Sequence, residues 1–130
     1  MADLDALKQK YGPVIEAIQR FVPYGATLQE VSLDGDRLLL KGTVPSTVVA
    51  NRIWDHIKKV DPTYSDLEHQ IATTGGETQP YTIKSGDTLS AISLLFYGNA
   101  NKYPQIAKAN NLADPNNVPI GTTLQLPVLS

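Results

Sequence analysis

The stretch from Tyr81 to Pro127 constrains the fold of this chain more than any other part, because turn residues divide it into short elements. Tyr81 and Ile83 alternate with polar neighbours, which predicts a short strand with one buried face. The Ser85-Gly86-Asp87 segment that follows is typical of a turn, since Gly86 can adopt a positive φ. We therefore expect a strand that leads through a tight turn into the next element.

Two helices and a second strand are predicted after this turn. Asp87 or Thr88 can cap the first helix, whose apolar positions recur at helical spacing: Leu89, Ile92, Leu95 and Phe96. Gly98 ends this helix, and Asn99 is the predicted N-cap of the second one.

The second helix has Tyr103, Ile106 and Ala107 on one side and ends at Asn110-Asn111. A strand over Thr123–Leu126 follows a turn at Ile120-Gly121-Thr122. The predicted order of elements is strand, helix, helix, strand.

The motifs of this half resemble those of the LysM domain. They are Ser-Gly-Asp-Thr-Leu at residues 85–89, Asn-Asn at 110–111, and the apolar closing segment at 120–127 that ends in Leu-Pro. The resemblance implies a βααβ fold over residues 81–130. It also implies a shallow groove that binds acetamido sugars such as N-acetylglucosamine, whose amide and hydroxyl groups pair with polar groups while the ring faces cover apolar surface.

Two loops would form this groove in a LysM-like fold. The resemblance implies Gly86, Asp87, Thr88 and Leu89 on one side, and Asn111, Leu112, Pro119 and Ile120 on the other. The alternative is that Asp87 and Thr88 only cap a helix and Leu89 only packs in the core, because the fold needs the same residues whether or not a sugar binds.

The first 72 residues predict a different set of elements. A helix with a break at Gly12-Pro13 precedes two strands that are joined by a turn at Asp34-Gly35-Asp36. A second helix starts after Pro45-Ser46-Thr47 and stops at Asp61-Pro62, because the residue before proline is restricted away from helical geometry. A last strand over Leu67–Ile71 completes the order helix, strand, strand, helix, strand.

The segment from Asp34 to Val44, an Asp-Gly turn followed by an apolar strand that ends in Gly-x-Val, resembles the BON domain. The resemblance covers residues 1–72 and implies an αββαβ fold, although the Gly-Val that the family carries after its helix is replaced here by Asp61-Pro62-Thr63-Tyr64. Residues 73–80 are rich in Thr and Gly and are predicted to be a linker. The whole chain is thus expected to be an α+β protein of two domains.

Composition argues against several classes of function. The formal net charge of −2 argues against nucleic acid as a partner, and the absence of cysteine excludes thiolate chemistry. No apolar run has the 18 residues of a membrane span, and the acidic N-terminus lacks a signal-peptide core, which predicts a cytoplasmic protein. His56 and His69 are isolated, and no catalytic triad can be drawn, so we expect a monomeric binding protein rather than an enzyme.

The combination of a BON-like and a LysM-like domain resembles a group of small bacterial potassium-binding proteins. The resemblance implies that backbone carbonyls of the BON-like half bind K⁺, with the LysM domain as docking partner. Neutral carbonyl dipoles suit a large, weakly hydrated monovalent ion. The alternative is a peptidoglycan-binding protein that uses the LysM groove, and a third is an adaptor in a phage-tail-like assembly, which would explain only the second half.

Overall fold

The computed structural model describes residues 3–129, so Met1, Ala2 and Ser130, at the ends of the two predicted domains, lie outside the described residues. The prediction of an α+β fold is confirmed. In chain order the elements are α1 (Leu4–Lys10), α2 (Gly12–Arg20), β1 (Thr27–Asp34), β2 (Arg37–Val44), α3 (Thr47–Val60), β3 (Leu67–Thr73), β4 (Gln79–Thr82), α4 (Leu89–Tyr97), α5 (Tyr103–Ala109) and β5 (Thr123–Leu126), with 3₁₀ turns at Val22–Tyr24 and Ala100–Lys102.

The N-terminal half is a three-stranded sheet with its helices packed on one face. The strand order is β1-β2-β3, with β1 and β2 antiparallel and β2 and β3 parallel. The parallel pair needs a crossover connection, which α3 provides. The inward residues of β2, Leu38, Leu40 and Val44, are fully buried.

A β-bulge in β1 sets the geometry of this sheet opposite Gly42. The register between β1 and β2 shifts between Leu28 and Glu30. A Cβ atom on Gly42 would lie 2.2 Å from the carbonyl oxygen of Thr27, so no larger residue fits without moving the backbone.

The C-terminal half pairs β4 with β5 in antiparallel register; α5 packs against β5, and Phe96 of α4 packs against Tyr81 of β4. Thr88 is the N-cap of α4, and Gly98 ends the helix at φ 73°. Two details differ from the sequence prediction: Asn99 caps the 3₁₀ turn rather than α5, and β4 begins at Gln79 and ends before Ile83.

The two halves share one hydrophobic core. The ring of Phe96 in α4 lies 5.3 Å from the ring of Phe21 and 5.3 Å from that of Tyr24, while Tyr24 and Tyr81 are 5.8 Å apart. Arg52 of α3 adds a hydrogen bond across the boundary, from its Nε to the carbonyl oxygen of Leu95 at 3.2 Å. The halves are therefore docked through aromatic packing.

The segment between β3 and β4 is tied to the start of α3. The backbone N–H of Thr74 donates to the carbonyl of Val44, and the first N–H groups of α3, on Thr47 and Val48, donate to the carbonyls of Gly76 and Glu77 at 3.1 and 3.3 Å. This segment thus supplies acceptors that a helix start otherwise lacks. Within residues 3–129 no helix has the length and apolar character needed to cross a membrane.

Candidate functional site

The loop between β4 and α4 is organised by the carboxylate of Asp87. Gly86 takes a φ of 87°, which lets the chain turn back so that the Asp87 N–H donates to the carbonyl of Lys84 at 3.1 Å. Asp87 Oδ2 accepts hydrogen bonds from the Lys84 N–H at 2.8 Å and from the Tyr81 hydroxyl at 2.7 Å. Burial, followed by this hydrogen bond to Asp87, raises the pKa of Tyr81 well above its usual value.

Asp87 keeps its second oxygen available. Both hydrogen bonds reach Oδ2, and within the described residues Oδ1 accepts none. An ionised carboxylate has about four acceptor sites, so Asp87 can hold the loop and still accept a hydrogen bond from a ligand.

Thr88 and Leu89 continue the Asp87 loop into α4. Thr88 Oγ1 accepts from the Ala91 N–H at 3.2 Å, which caps the helix, while Leu89 is 3% exposed and packs in the core. The structural roles that the sequence offers as an alternative are therefore present in the fold. Neither role uses Oδ1 of Asp87, so this oxygen can still accept a hydrogen bond from a ligand.

The loop between α5 and β5 faces the Asp87 loop. At its start, the side-chain amide of Asn110 donates to the carbonyl of Gln125 at 3.0 Å and accepts from the Gln125 N–H at 2.8 Å, which ties the end of α5 to β5. Further along, Asp114 Oδ1 accepts from the Asn116 N–H at 2.9 Å and forms a tight Asx-type turn.

A cleft of about 300 Å³ lies between these two loops. The strand–helix loop contributes Ile83, Asp87, Thr88, Leu89 and Ser90. The facing side consists of Tyr103, Pro115, Asn116, Asn117 and Val118. The cleft combines an apolar floor with convergent amide, hydroxyl and carboxylate groups, which is the composition of a site for a small polar ligand.

The structure brings three of the eight predicted groove residues into this cleft: Asp87, Thr88 and Leu89. The other five do not line it: Gly86 lies in the preceding turn, Asn111 has a left-handed φ of 54°, Leu112 packs against the core, and Pro119 and Ile120 are exposed. The facing wall comes instead from residues 115–118. Pro115-Asn116-Asn117 has the residue types of a turn, but no local signal places this run opposite Asp87.

The two histidines lie in the N-terminal half, away from the cleft. His69 packs edge-on against Trp54 at 5.3 Å and against Tyr64 at 5.9 Å. His56 is half-buried on α3, and burial, followed by the charge of Arg52, lowers its pKa. Among residues 3–129 no three His, Cys, Asp or Glu side chains are grouped so that they could hold a metal ion.

Comparison with known proteins supports the interpretation of the C-terminal half. Residues 81–127 match the family model of the LysM domain, which confirms the prediction for this part of the chain. The BON resemblance of residues 1–72 stays a prediction.

Two curated proteins are similar to parts of this chain. The potassium binding protein Kbp of Escherichia coli is 47% identical over 64 residues, which cover 48% of this chain and 43% of that protein. An esterase of Mycobacterium tuberculosis is 50% identical over 106 residues, which cover 69% of this chain and 23% of the esterase. The chain therefore spans less than half the length of these relatives.

Proposed function

We propose that the LysM domain of residues 81–127 binds glycans that contain N-acetylglucosamine, and that the cleft beside Asp87 is the binding site. The observation that carries this proposal is the unused Oδ1 of Asp87 at the edge of a cleft with an apolar floor. The carboxylate would accept a hydrogen bond from a sugar N–H or hydroxyl, while Ile83, Leu89 and Val118 cover the methyl group or the ring face.

The volume of the cleft limits what enters it. A cleft of about 300 Å³ is at the small end of the range of about 300–1,000 Å³ for ligand sites. We therefore expect one sugar unit to occupy the cleft and its neighbours in the chain to lie along the rim. Longer oligomers should bind more tightly than the monosaccharide.

The variant Asp87→Asn tests this proposal in a calorimetric titration with N-acetylglucosamine oligomers. The amide can keep one oxygen for Lys84 and Tyr81 while it replaces the second acceptor, so the loop is retained and the ligand contact is lost. We expect affinity to fall about tenfold or more, the usual effect of losing a charged hydrogen-bond partner. Asp36→Asn, in the distant β1–β2 turn, is the matched control, and equal affinities of the two variants would refute this site.

A second candidate function is binding of K⁺, which the 47% identity to Kbp favours. We propose that backbone carbonyls of the N-terminal, BON-like half hold the ion in a monomeric cytoplasmic protein, and that the segment between β3 and β4 connects this half to the LysM domain. In this proposal the protein binds without catalysis. The similarity to the esterase covers too little of that protein to transfer its activity.

Thermal unfolding in KCl and in NaCl of equal concentration tests the potassium proposal. A ligand that binds only the native state at a hundredfold excess over Kd adds about 2.7 kcal/mol to the free energy of unfolding. For a chain of this length the midpoint should rise by roughly ten degrees in K⁺. Asp34→Asn and Asp36→Asn should keep this rise, because carbonyls are the proposed ligands. Equal midpoints in the two salts would rule out potassium.

A further inference from the structure

The boundary between the two halves contains a second cavity that shares no lining residue with the glycan cleft. It has a volume of about 310 Å³ and lies between α3, α4 and the chain after β5. A more open depression of about 500 Å³ shares four of its residues: Arg52, Asp55, Lys58 and Tyr97. We call the two together the junction groove.

Basic residues are concentrated in the junction groove. Although the chain has a formal net charge of −2, four of its eleven Lys and Arg residues line the groove, against one of its thirteen acidic residues, Asp55. The four are Arg52, Lys58, Lys59 and Lys102. Lys102 already takes part in another interaction, but Arg52, Lys58 and Lys59 alone outnumber Asp55. The groove is thus a positive site on a negatively charged protein, which favours an anionic ligand.

Arg52 lies at the centre of the groove and is incompletely paired. A guanidinium has five N–H donors, and within residues 3–129 Arg52 forms one hydrogen bond, from Nε to the Leu95 carbonyl. No salt bridge of the described residues involves this half-buried side chain. Gly98 leaves room for the guanidinium, since a Cβ there would lie 2.9 Å from Arg52 Nη1.

The burial of Arg52 is only partly offset by the carboxylate of Asp55. Burial lowers the pKa of Arg52, Asp55 opposes this change, and Arg20 adds a smaller lowering effect. The neighbouring His56 responds in the same way, because burial and then the charges of Arg52, Arg20 and Lys59 lower its pKa. A half-buried cation that is incompletely paired gains most from an anion that supplies the missing acceptors.

The groove also has an apolar wall. Val48 and Phe96 are buried beneath it, and Val128 is 44% exposed at its rim. The Lys58 ammonium lies 5.9 Å from the centre of the Trp54 ring. A ligand that fits both surfaces has an anionic group at one end and an apolar body at the other.

We propose that the junction groove binds a small organic anion, whose carboxylate or phosphate group is held by Arg52 and Lys58 and whose apolar part lies against Val128 at the rim. Because residues of both halves line the groove, only the docked arrangement binds the anion. Binding therefore stabilises the docked state by mass action.

NMR titration of the full chain with benzoate, phenyl phosphate and neutral phenol tests the proposal. We expect saturable shifts of the backbone amide signals of Arg52, Tyr97 and Val128 with at least one of the two anions, and none with phenol. The anion that binds more tightly identifies the headgroup as carboxylate or phosphate. Added NaCl should weaken the binding, since part of the site is exposed to solvent.

Variants separate this site from general effects of charge. Arg52→Gln should weaken anion binding at least tenfold. Because Arg52 also bonds to Leu95, the exposed Lys58→Gln is a second variant, expected to weaken binding about threefold to fivefold. Lys41→Gln on β2 is the matched control, and binding of N-acetylglucosamine oligomers should be unchanged in all three. Lack of anion-induced shifts, equal shifts with phenol, or equal effects of Lys41→Gln and Lys58→Gln would overturn the proposal.

Discussion

At the scale of single residues, Lys10 links the first helix to the turn between α3 and β3. Its Nζ donates to Asp61 Oδ2 at 2.9 Å and to Asp66 Oδ2 at 2.7 Å, and the Tyr11 hydroxyl donates to the other oxygen of Asp66. The hydrogen bonds from Lys10 and Thr63 hold the pKa of Asp61 well below its usual value. The pKa of Asp66 is also lowered: its burial acts against this, and the hydrogen bonds from Lys10 and Tyr11 outweigh it.

These pKa shifts predict that the Lys10 contacts contribute their full stability only above the unfolded pKa of the two carboxylates, near 4. Carboxylates with lowered pKa values stabilise the fold above their unfolded pKa, near 4, and lose this contribution as the pH falls through the folded value. Lys10→Met should therefore lower the free energy of unfolding at pH 7 and have a smaller effect at pH 2 to 3.

Urea unfolding at both pH values measures this difference. Lys8→Met, an exposed neighbour in the last turn of the same helix, is the control and should show little dependence on pH. If the effect of Lys10→Met were the same at both pH values, the ion pairs would not be its cause.

At the scale of elements, the start of α3 depends on the segment that connects the two halves. Ser46 Oγ accepts from the Val49 N–H at 3.2 Å, and the carbonyls of Gly76 and Glu77 accept from the two N–H groups before it. A Cβ on Gly75 would lie 2.1 Å from the Pro45 carbonyl oxygen, whereas a Cβ on Gly76 would meet nothing within 4 Å. The connecting segment can approach α3 only because residue 75 is glycine.

This difference predicts opposite outcomes for two adjacent glycines. Gly75→Ala should move the segment away from α3 and lower the free energy of unfolding by about 1–3 kcal/mol, the usual cost of an added methyl group in a tight contact. It should also speed proteolysis between residues 74 and 78. Gly76→Ala should have little effect on either measurement, and similar behaviour of the two variants would contradict the close packing.

At the scale of the whole molecule, the aromatic contacts of Phe96 join the halves into one unit. Phe96 is 1% exposed and contacts rings from both halves: Phe21, Tyr24 and Tyr81. A C-terminal half of some 50 residues without disulfides has a small core of its own, so it gains stability by sharing one. We expect the intact chain to unfold in a single transition.

Phe96→Ala should remove most of the aromatic packing that joins the two halves. The loss of a buried phenylalanine costs about 3–5 kcal/mol, and calorimetry should then resolve two transitions or one at a much lower midpoint. Leu94→Ala, on the same helix but 55% exposed, is the control and should behave like the unmodified chain. Two transitions in the unmodified chain would show that the halves do not share a core in solution.

The elements were predicted well wherever local signals were strong. Thr88 and Gly98 delimit α4 as their residue types indicate, and the predicted break near Gly12-Pro13 lies at Tyr11, with Gly12 and Pro13 in the first turn of α2. The predicted helix start directly after Asn99 is wrong, since α5 begins at Tyr103. Pro104 has no N–H to bond to the carbonyl of Ala100 and is tolerated only in the first turn of a helix. The chain therefore forms a separate 3₁₀ turn before α5.

The sequence predicted only one side of the candidate site, the loop that contains Asp87. The Asp87 loop is a local motif, and its capping and turn chemistry can be read from a few adjacent residues. The facing wall at residues 115–118 lies in a loop without periodicity, and what places it opposite Asp87 is the pairing of β4 with β5 and the anchoring of Asn110 to Gln125. Contacts of this kind leave no pattern in the sequence.

By itself the sequence determined the order of the helices and strands and most of their caps and turns, and with them the LysM-like order of the C-terminal half, because each of these depends on neighbours within a few residues. Only the tertiary structure decided that the halves dock, that Lys10 meets Asp61 and Asp66 from 51 and 56 residues away, and that Arg52 lies in a groove between the halves. These arrangements depend on shape and burial between distant segments, which no local pattern of residues encodes.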